Sequence, residues 1–360
     1  MIVESVKLKQ FRNYDSLELK FDKGTNLFYG DNAQGKTNIL ESVYLCGTTR
    51  SHKGSKDKEL IHFGEEESHI CMRIRKGDIP YRIDMHLKKN KTKGIAINGV
   101  PVRKASEVIG LGNFVFFSPE DLNIIKNGPS ERRRFLDMEL CQLDKIYLYH
   151  LSNYNKSLIQ RNKLLKDYHF YPEADTMLDV MDEQLCQYGS VIIKMRRNFI
   201  KDLNHILYEI HKKLSGGKEE LQLEYENNTE IEEFSARLKA NREKDIKTRM
   251  TNAGPHRDDI CFMVGGIDIR RFGSQGQQRT AALSLKLGEI EIVKRSVKDT
   301  PVLLLDDVLS ELDSNRQRYL LESIHDVQTL ITCTGIDDFV SYNYQINKLF
   351  QVIEGTVHEK

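Results

Sequence analysis

Eight consecutive residues, Gly30-Asp31-Asn32-Ala33-Gln34-Gly35-Lys36-Thr37, carry the spacing G-x-x-x-x-G-K-[ST] of a phosphate-binding loop. Gly30 and Gly35 permit the torsions that wrap successive N–H groups around a phosphate. Lys36 brings a point charge to the outer phosphates of a nucleoside triphosphate, and the Thr37 hydroxyl is a ligand for Mg²⁺. A second constellation, Pro301 to Asp307, is an apolar run that ends in two carboxylates. Asp306 is placed to hold Mg²⁺, directly or through water, and Asp307 to orient or deprotonate an attacking water. A third, Ser274-Gln275-Gly276-Gln277-Gln278, opens a segment striped by Leu283, Leu287 and Ile290. There the Ser274 hydroxyl and the N–H groups near Gly276 make an anion site at a helix start. Taken singly, each has a plainer reading: a Gly-rich turn, a helix cap at Asp307, a serine N-cap at Ser274. Together and in this order they point to nucleoside triphosphate hydrolysis.

These residues need elements to aim them. Thr25 to Tyr29 reads as a buried strand and Asn38 to Tyr44 as a helix with Leu40, Val43 and Tyr44 on one face. A helix that starts at the loop points its positive end at the anion. Val302 to Leu305 and Leu330 to Cys333 are short apolar runs, expected to be strands covered on both faces of a parallel sheet. Leu17, Leu19 and Phe21, then Ile70, Met72 and Ile74, then Tyr81, Ile83, Met85 and Leu87 alternate with polar residues, the period of half-buried antiparallel strands. From Pro129 to Lys247 charges interleave with Leu, Ile, Tyr and Met at helical spacing. The expected organisation is therefore an α/β nucleotide lobe in two parts, residues 1–128 and 254–360, with a helical lobe at 129–253 inserted between them.

The chain has 360 residues, enough for two domains. Lys and Arg number 54 against 53 Asp and Glu, a net charge of +1, so a nucleic-acid partner would have to be met by local patches. Six cysteines lie far apart without a C-x-x-C pair, which suggests reduced thiols in a cytoplasm rather than a metal cluster. The N-terminus lacks a signal peptide's apolar stretch, and no run approaches the ~18 apolar residues of a membrane span. A cytoplasmic protein with no membrane partner is expected.

The run Asp306-Asp307-Val308-Leu309-Ser310-Glu311-Leu312-Asp313 resembles the Walker B and D-loop of ABC-type ATPases, with Ser310 and Asp313 at the D-loop positions. Phe272 to Arg279 resembles their signature motif. Leu8-Lys9-Gln10-Phe11-Arg12-Asn13-Tyr14 is similar to the N-terminal F-R-N-[YF] of chromosome-maintenance (SMC-like) ATPases, whose residues there approach the nucleotide. Ser51-His52-Lys53, Glu59-Leu60-Ile61, Phe116 to Leu122, Gly128 to Asp137, Gly254 to Asp259 and Ser274 to Ala282 look like the RecF family of recombination-mediator ATPases, in that family's order along nearly the whole chain. The resemblance implies an ABC-type P-loop ATPase head with a mixed and parallel sheet plus an inserted helical lobe. It implies ATP and Mg²⁺ as cofactors, with Arg12, Asn13, the loop from Gly30 to Thr37, and Asn38 around the ATP, and Thr37 with Asp306 on the metal. Lys36 and Asp307 would be catalytic, and Ser274, Gln275, Gly276, Gln277 and Gln278 would act in trans, two ATPs being sandwiched in a homodimer.

Some positions depart from the general ABC pattern. Glu120 stands where a glutamine often senses Mg²⁺, Asp307 where many relatives carry Glu, and no histidine follows Thr334 where a switch histidine is usual. Both the shorter carboxylate and the missing histidine favour slow hydrolysis, a switch rather than a motor. Only about 120 residues separate Pro129 from Gly254, without sustained heptads, so any arm is short.

The resemblance further implies an ATP-driven dimer that binds double-stranded DNA at a gap or single/double-strand junction and works with RecR, and with RecO, to load RecA. Candidate DNA contacts are Lys88, Lys89, Lys91 and Lys93 in an expected hairpin turn, and Lys53 and Lys56 after the loop helix; a basic cluster at Arg237, Lys239, Arg242, Lys244 and Lys247 is a third. The plainer reading of each is a solvated charged face. Arg132-Arg133-Arg134 is expected to brace the nucleotide lobe or its interface. Two other functions fit the ATPase motifs less well: a nuclease-coupled ABC ATPase would need an acidic metal-binding domain after Asp313, and a transporter's nucleotide-binding subunit a regular L-S-G-G-Q.

Overall fold

The computed structural model describes residues 1–335 and 344–360. The chain opens with three strands, β1 (Ile2–Phe11), β2 (Tyr14–Lys20) and β3 (Thr25–Tyr29), and the helix α1 (Lys36–Thr48). Then come β4 (Glu67–Lys76), β5 (Ile79–Lys88), β6 (Lys91–Ile97), β7 (Val100–Pro101) and β8 (Phe114–Phe117). The helical stretch holds α2 (Asn123–Lys126), α3 (Pro129–Leu143), α4 (Lys145–Lys166) and α5 (Ala174–Leu214). It is followed by β9 (Leu221–Glu226), α6 (Phe234–Ala240), α7 (Arg242–Thr248), β10 (Asp259–Val264), β11 (Ile267–Asp268) and α8 (Ile269–Phe272). The chain continues through α9 (Gln275–Val297), β12 (Val302–Asp306), α10 (Ser314–Ser323), β13 (Thr329–Cys333), β14 (Lys348–Ile353) and β15 (Thr356–Glu359).

The contacts divide the chain into two compact units, Met1–Asp121 with Lys286–Lys360, and Leu122–Leu285. The position 253/254, where composition suggested a return to the nucleotide lobe, falls inside the second unit, because β10, β11 and the start of α9 pack there.

In the first unit one sheet runs β2-β1-β4-β5-β6-β7 and is antiparallel, as the alternating residues require. The other runs β15-β14-β3-β13-β12-β8, parallel from β14 to β8 with β15 antiparallel at its edge. β3, β12 and β13 are almost wholly buried, as strands covered on both faces are. Ile39, Leu40, Val43, Leu45 and Cys46 of α1 share one core with Val6, Leu8, Ile70 and Met72 of the antiparallel sheet and Phe28, Leu304, Leu330 and Phe350 of the parallel one. A helix enclosed in this way has no solvent face, so α1 is buried nearly all round rather than along the single stripe expected.

In the second unit α4 packs on α5, whose 41 residues give a rod about 60 Å long. The segment read as helical contains β9, which pairs antiparallel with β10 in a three-stranded sheet. Ion pairs tie the helices together: buried Arg161 meets Asp182 at 2.6 Å and Asp245 at 2.8 Å, and half-buried Arg242 meets Asp182 and the exposed Asp179. Among the described residues no helix is long and apolar enough to cross a membrane.

Candidate nucleotide-binding site

The loop Gly30–Gly35 leaves β3 and enters α1, so the free N–H groups of the helix start face the loop. Its glycines are required sterically. Gly30 and Gly35 have φ of 150° and 108°, and a Cβ on either would lie 2.3 Å from the Val352 carbonyl oxygen or 2.4 Å from Asn13 Nδ2. Those two neighbours come from opposite ends of the sequence and grip the loop. Asn13 Nδ2 donates to the Gln34 carbonyl at 3.1 Å and Asn13 Oδ1 accepts from Asn38 Nδ2 at 2.8 Å. Tyr14 OH donates to the Gly35 carbonyl at 3.1 Å. From the turn between β14 and β15, the Gly355 N–H donates to the Gln34 carbonyl at 3.3 Å and the Glu354 N–H to Gln34 Oε1.

Lys36 Nζ donates to the carbonyls of Gly30 and Asp31, both at 2.7 Å, which folds the ammonium back across the loop. Burial lowers its pKa, opposed by the charges of Asp307, Cys333, Asp306 and Asp31. Thr37 Oγ1 donates to Asp306 Oδ1 at 2.7 Å. Asp306 closes β12, and Asp307 follows in the left-handed region with φ 53°. Burial raises the Asp307 pKa, and the nearby Lys36 charge acts against that. Asn32, Ala33, Gly35, Lys36, Thr37, Asn38, Asp306, Asp307 and Thr332 line one cleft, so the two motifs that the sequence separates by about 270 residues converge here. A threonine hydroxyl beside a carboxylate oxygen is a hard, two-point donor set that suits Mg²⁺, which takes its remaining positions from water and phosphate.

Other expected site residues are placed differently. The Arg12 guanidinium is bound to Glu41 of α1, to Ser55 Oγ at 3.0 Å and to the Glu59 carbonyl at 3.0 Å. Ser310 Oγ donates to the Asp307 carbonyl at 2.8 Å, and Asp313 caps α10 by accepting from the N–H groups of Asn315 and Arg316. Exposed Glu120 lies 4.0 Å from Lys53 Nζ.

In the second unit Ser274 caps α9 reciprocally with Gln277: the Ser274 N–H reaches Gln277 Oε1 at 2.9 Å and the Gln277 N–H reaches Ser274 Oγ at 3.2 Å. Gln275 and Gly276 are exposed, whereas Gln278 turns inward to the Ile269 carbonyl at 2.8 Å. Of the three arginines in a row, Arg132 forks onto Asp259 and Arg133 donates to the Asp258 carbonyl, so these two brace the second unit internally. His256 sits between Tyr154 OH at 2.7 Å and the Thr251 carbonyl at 2.9 Å, and burial pushes its pKa down to about 4.

Most of the basic hairpin is engaged. Lys88 pairs with Glu67, Lys89 with Glu66 at 2.8 Å, and Lys93 with Asp57 at 2.9 Å and the Thr49 carbonyl at 2.7 Å. Lys91, at the turn, and Lys56 are exposed. Arg242 of the third basic cluster is held by three aspartates.

Sequence reasoning missed Glu41 and Thr332. Glu41 is 1% exposed and accepts from both Arg12 and Ser51. Thr332 touches both acidic residues of β12's end. Neither sits in a motif: folding brings Glu41 of α1 to the β1–β2 turn, and strand pairing brings Thr332 beside Asp306.

A model of the RecF/RecN/SMC N-terminal domain family matches residues 2–353. A DNA replication and repair protein RecF from Lachnospira eligens is 60% identical over 359 residues, covering 99% of both chains. The solved structure of the recombination mediator protein RecF with ATP, in the RecFOR pathway, superposes with a TM-score of 0.93 at 38% identity, over 99% of this chain and 97% of that one. An Smc head domain from Pyrococcus furiosus, bound to the C-terminal domain of ScpA, shares the fold with a TM-score of 0.58 at 17% identity, over 99% of this chain and 95% of that one.

Proposed function

The chain belongs to the RecF/RecN/SMC N-terminal domain family, in its RecF branch, and from that premise we propose that it is an ATP-operated, DNA-binding switch of recombinational gap repair. ATP binding and ATPase chemistry follow from family membership. The finer reading is that ATP joins two copies, the dimer holds duplex DNA beside a single-strand gap, and slow, DNA-stimulated hydrolysis releases it.

One observation carries this reading: Thr37 and Asp306 in contact at 2.7 Å, with Lys36 and Asp307 in the same cleft. Lys36 would exchange its two loop carbonyls for phosphate oxygens. Thr37 and Asp306 would hold Mg²⁺, which when bound neutralises charge on the outer phosphates. Asp307 would orient the attacking water. The exposed start of α9, with Ser274, Gln275, Gly276 and Gln277, would complete the site of a second copy, near the D-loop residues Ser310 and Asp313. Arg12, Asn13 and Asn38 would border the nucleotide.

The partners in this reading are RecR and RecO, supported by the RecFOR pathway of the related structure, with RecA loading downstream. Exposed Lys53, Lys56 and Lys91, with Lys88, Lys89 and Lys93 behind their carboxylate partners, are the proposed phosphate contacts, and the compartment is the cytoplasm. Light scattering tests the reading. Mass should double with ATP, Mg²⁺ and duplex DNA; Lys36→Ala should abolish ATP binding, and Ser274→Arg should bind ATP yet stay single. A single-copy mass under every condition would overturn it.

A further inference from the structure

The two carboxylate residues at the end of β12 are joined by a third side chain, on the neighbouring strand. Asp306 of β12 and Thr332 of β13 are paired in register. Thr332 Oγ1 donates its single proton to Asp306 Oδ1 at 2.8 Å. The same oxygen accepts from the Asp307 N–H at 3.0 Å, and the Thr332 carbonyl accepts from that N–H at 3.3 Å. A hydroxyl is suited to this place because it gives one bond and takes another through one atom. Thr332 is 2% exposed, so water does not compete for either bond.

Asp306 Oδ1 therefore receives two hydroxyl protons, from Thr37 on the phosphate-loop helix and from Thr332 on β13. The Thr37 hydroxyl has a second task, as it belongs to the pair of oxygens that suits Mg²⁺. The Thr332 hydroxyl has no such task and fixes the carboxylate whatever Thr37 does. On the other side it anchors a residue whose backbone is under strain. Asp307 has φ 53°, a torsion that residues with a side chain seldom adopt, and among the described residues its N–H is tied down at that angle by Thr332.

We propose that Thr332 is a positioning residue for ATP hydrolysis: it sets the direction of the Asp307 carboxylate and the rotation of Asp306 through one shared hydroxyl. The proposal rests on the ATPase reading of this cleft. The Thr332 hydroxyl bonds to Asp306 and Asp307, whereas Lys36 is held by the Gly30 and Asp31 carbonyls, so removing that hydroxyl should affect turnover more than nucleotide capture. A small misdirection of a water-orienting carboxylate is costly, because rate depends steeply on alignment.

The test compares Thr332→Val, which keeps the shape, and Thr332→Ala with Thr332→Ser, which keeps the hydroxyl. Three readouts are taken on the full chain: kcat for ATP, the equilibrium Kd for ATP with Mg²⁺, and the melting temperature without nucleotide. The expected result is a kcat about 10-fold to 100-fold lower in Val and Ala, with Kd changed less than about 3-fold and Ser within about 3-fold of wild type. Wild-type kcat in either hydroxyl-free variant, or Ser as impaired as Val, would overturn the proposal. So would a parallel loss of ATP affinity and turnover, which marks a merely structural residue. If Val fails to fold, Ala and Ser decide between the same outcomes. A wild-type protein without ATPase activity would instead sink the ATPase reading itself.

Discussion

Arg12 and Glu41 form a two-pronged ion pair, Nε to Oε2 at 2.8 Å and Nη2 to Oε1 at 3.1 Å, with the Glu41 side chain only 1% exposed. The pair joins the β1–β2 turn to the helix that begins at the phosphate loop. Removing one partner of a buried pair leaves an uncompensated charge, so Arg12→Ala should lower unfolding free energy by about 3 kcal/mol without nucleotide. Adding Glu41→Gln should recover more than half of that loss in urea titrations. On the proposed role of Arg12 beside the nucleotide, ATP affinity should stay weakened in both variants.

Asp307 gives a pH signature. Burial raises its pKa, so the folded state disfavours the charged form. Such a carboxyl costs stability above its unfolded pKa and nothing once both states are protonated. Asp307→Asn should therefore melt higher than wild type at pH 7, and the gap should close below about pH 4. Asn also tolerates the positive φ at this position. Turnover should vanish in the variant, whereas the wild-type rate should fall on acidification at a pH above the usual carboxylate range.

His256 shifts in the opposite direction from the same cause, burial. Its pKa is pushed down to about 4 by burial between Tyr154 and the Thr251 carbonyl. The native state then binds fewer protons than the unfolded chain between pH 4 and 6.5, so stability rises with pH through that window. Unfolding free energy should drop by about 1 kcal/mol per pH unit from pH 6.5 to 5 in urea melts. His256→Gln should start less stable and show a flatter slope.

Among the hairpin lysines, exposed Lys91 and Lys89, whose partner Glu66 is itself 74% exposed, can turn to a phosphate at little cost. Lys89→Ala with Lys91→Ala should flatten the slope of log K for duplex DNA against log salt by about 2. An unchanged slope would remove this hairpin from the interface. Lys93→Ala should instead loosen the contact to Asp57 and Thr49, reported as a lower melting temperature.

The site was legible where one contiguous run supplies the chemistry. Gly30 to Thr37, the β12 carboxylates and the Ser274 start of α9 lie where the spacing put them, and the strands around Ile70, Met85 and Leu304 follow the period of their apolar residues. Contacts between distant segments were not legible. Glu67 and Lys88 are cross-strand partners in the β4–β5 register, so a run that reads as free positive charge is mostly neutralised. Arg12 meets Glu41, and Thr332 meets Asp306, only because folding makes them neighbours. β9 was within reach: Leu221, Leu223 and Tyr225 alternate with Gln222, Glu224 and Glu226, a period-two signal hidden by the helical residues before it.

The parallel sheet has a history written in its strand order. β3 and β8 leave the ribosome early, but the strand that separates β8 from β13, and the one that lies between β12 and β3, come only after Val302. At ordinary elongation speeds of about 5–20 residues per second, the stretch from Phe117 to Val302 takes roughly ten to forty seconds to make. Throughout that wait β3 and β8 lack the two strands that lie between them in the finished sheet, while the intervening unit is free to fold first.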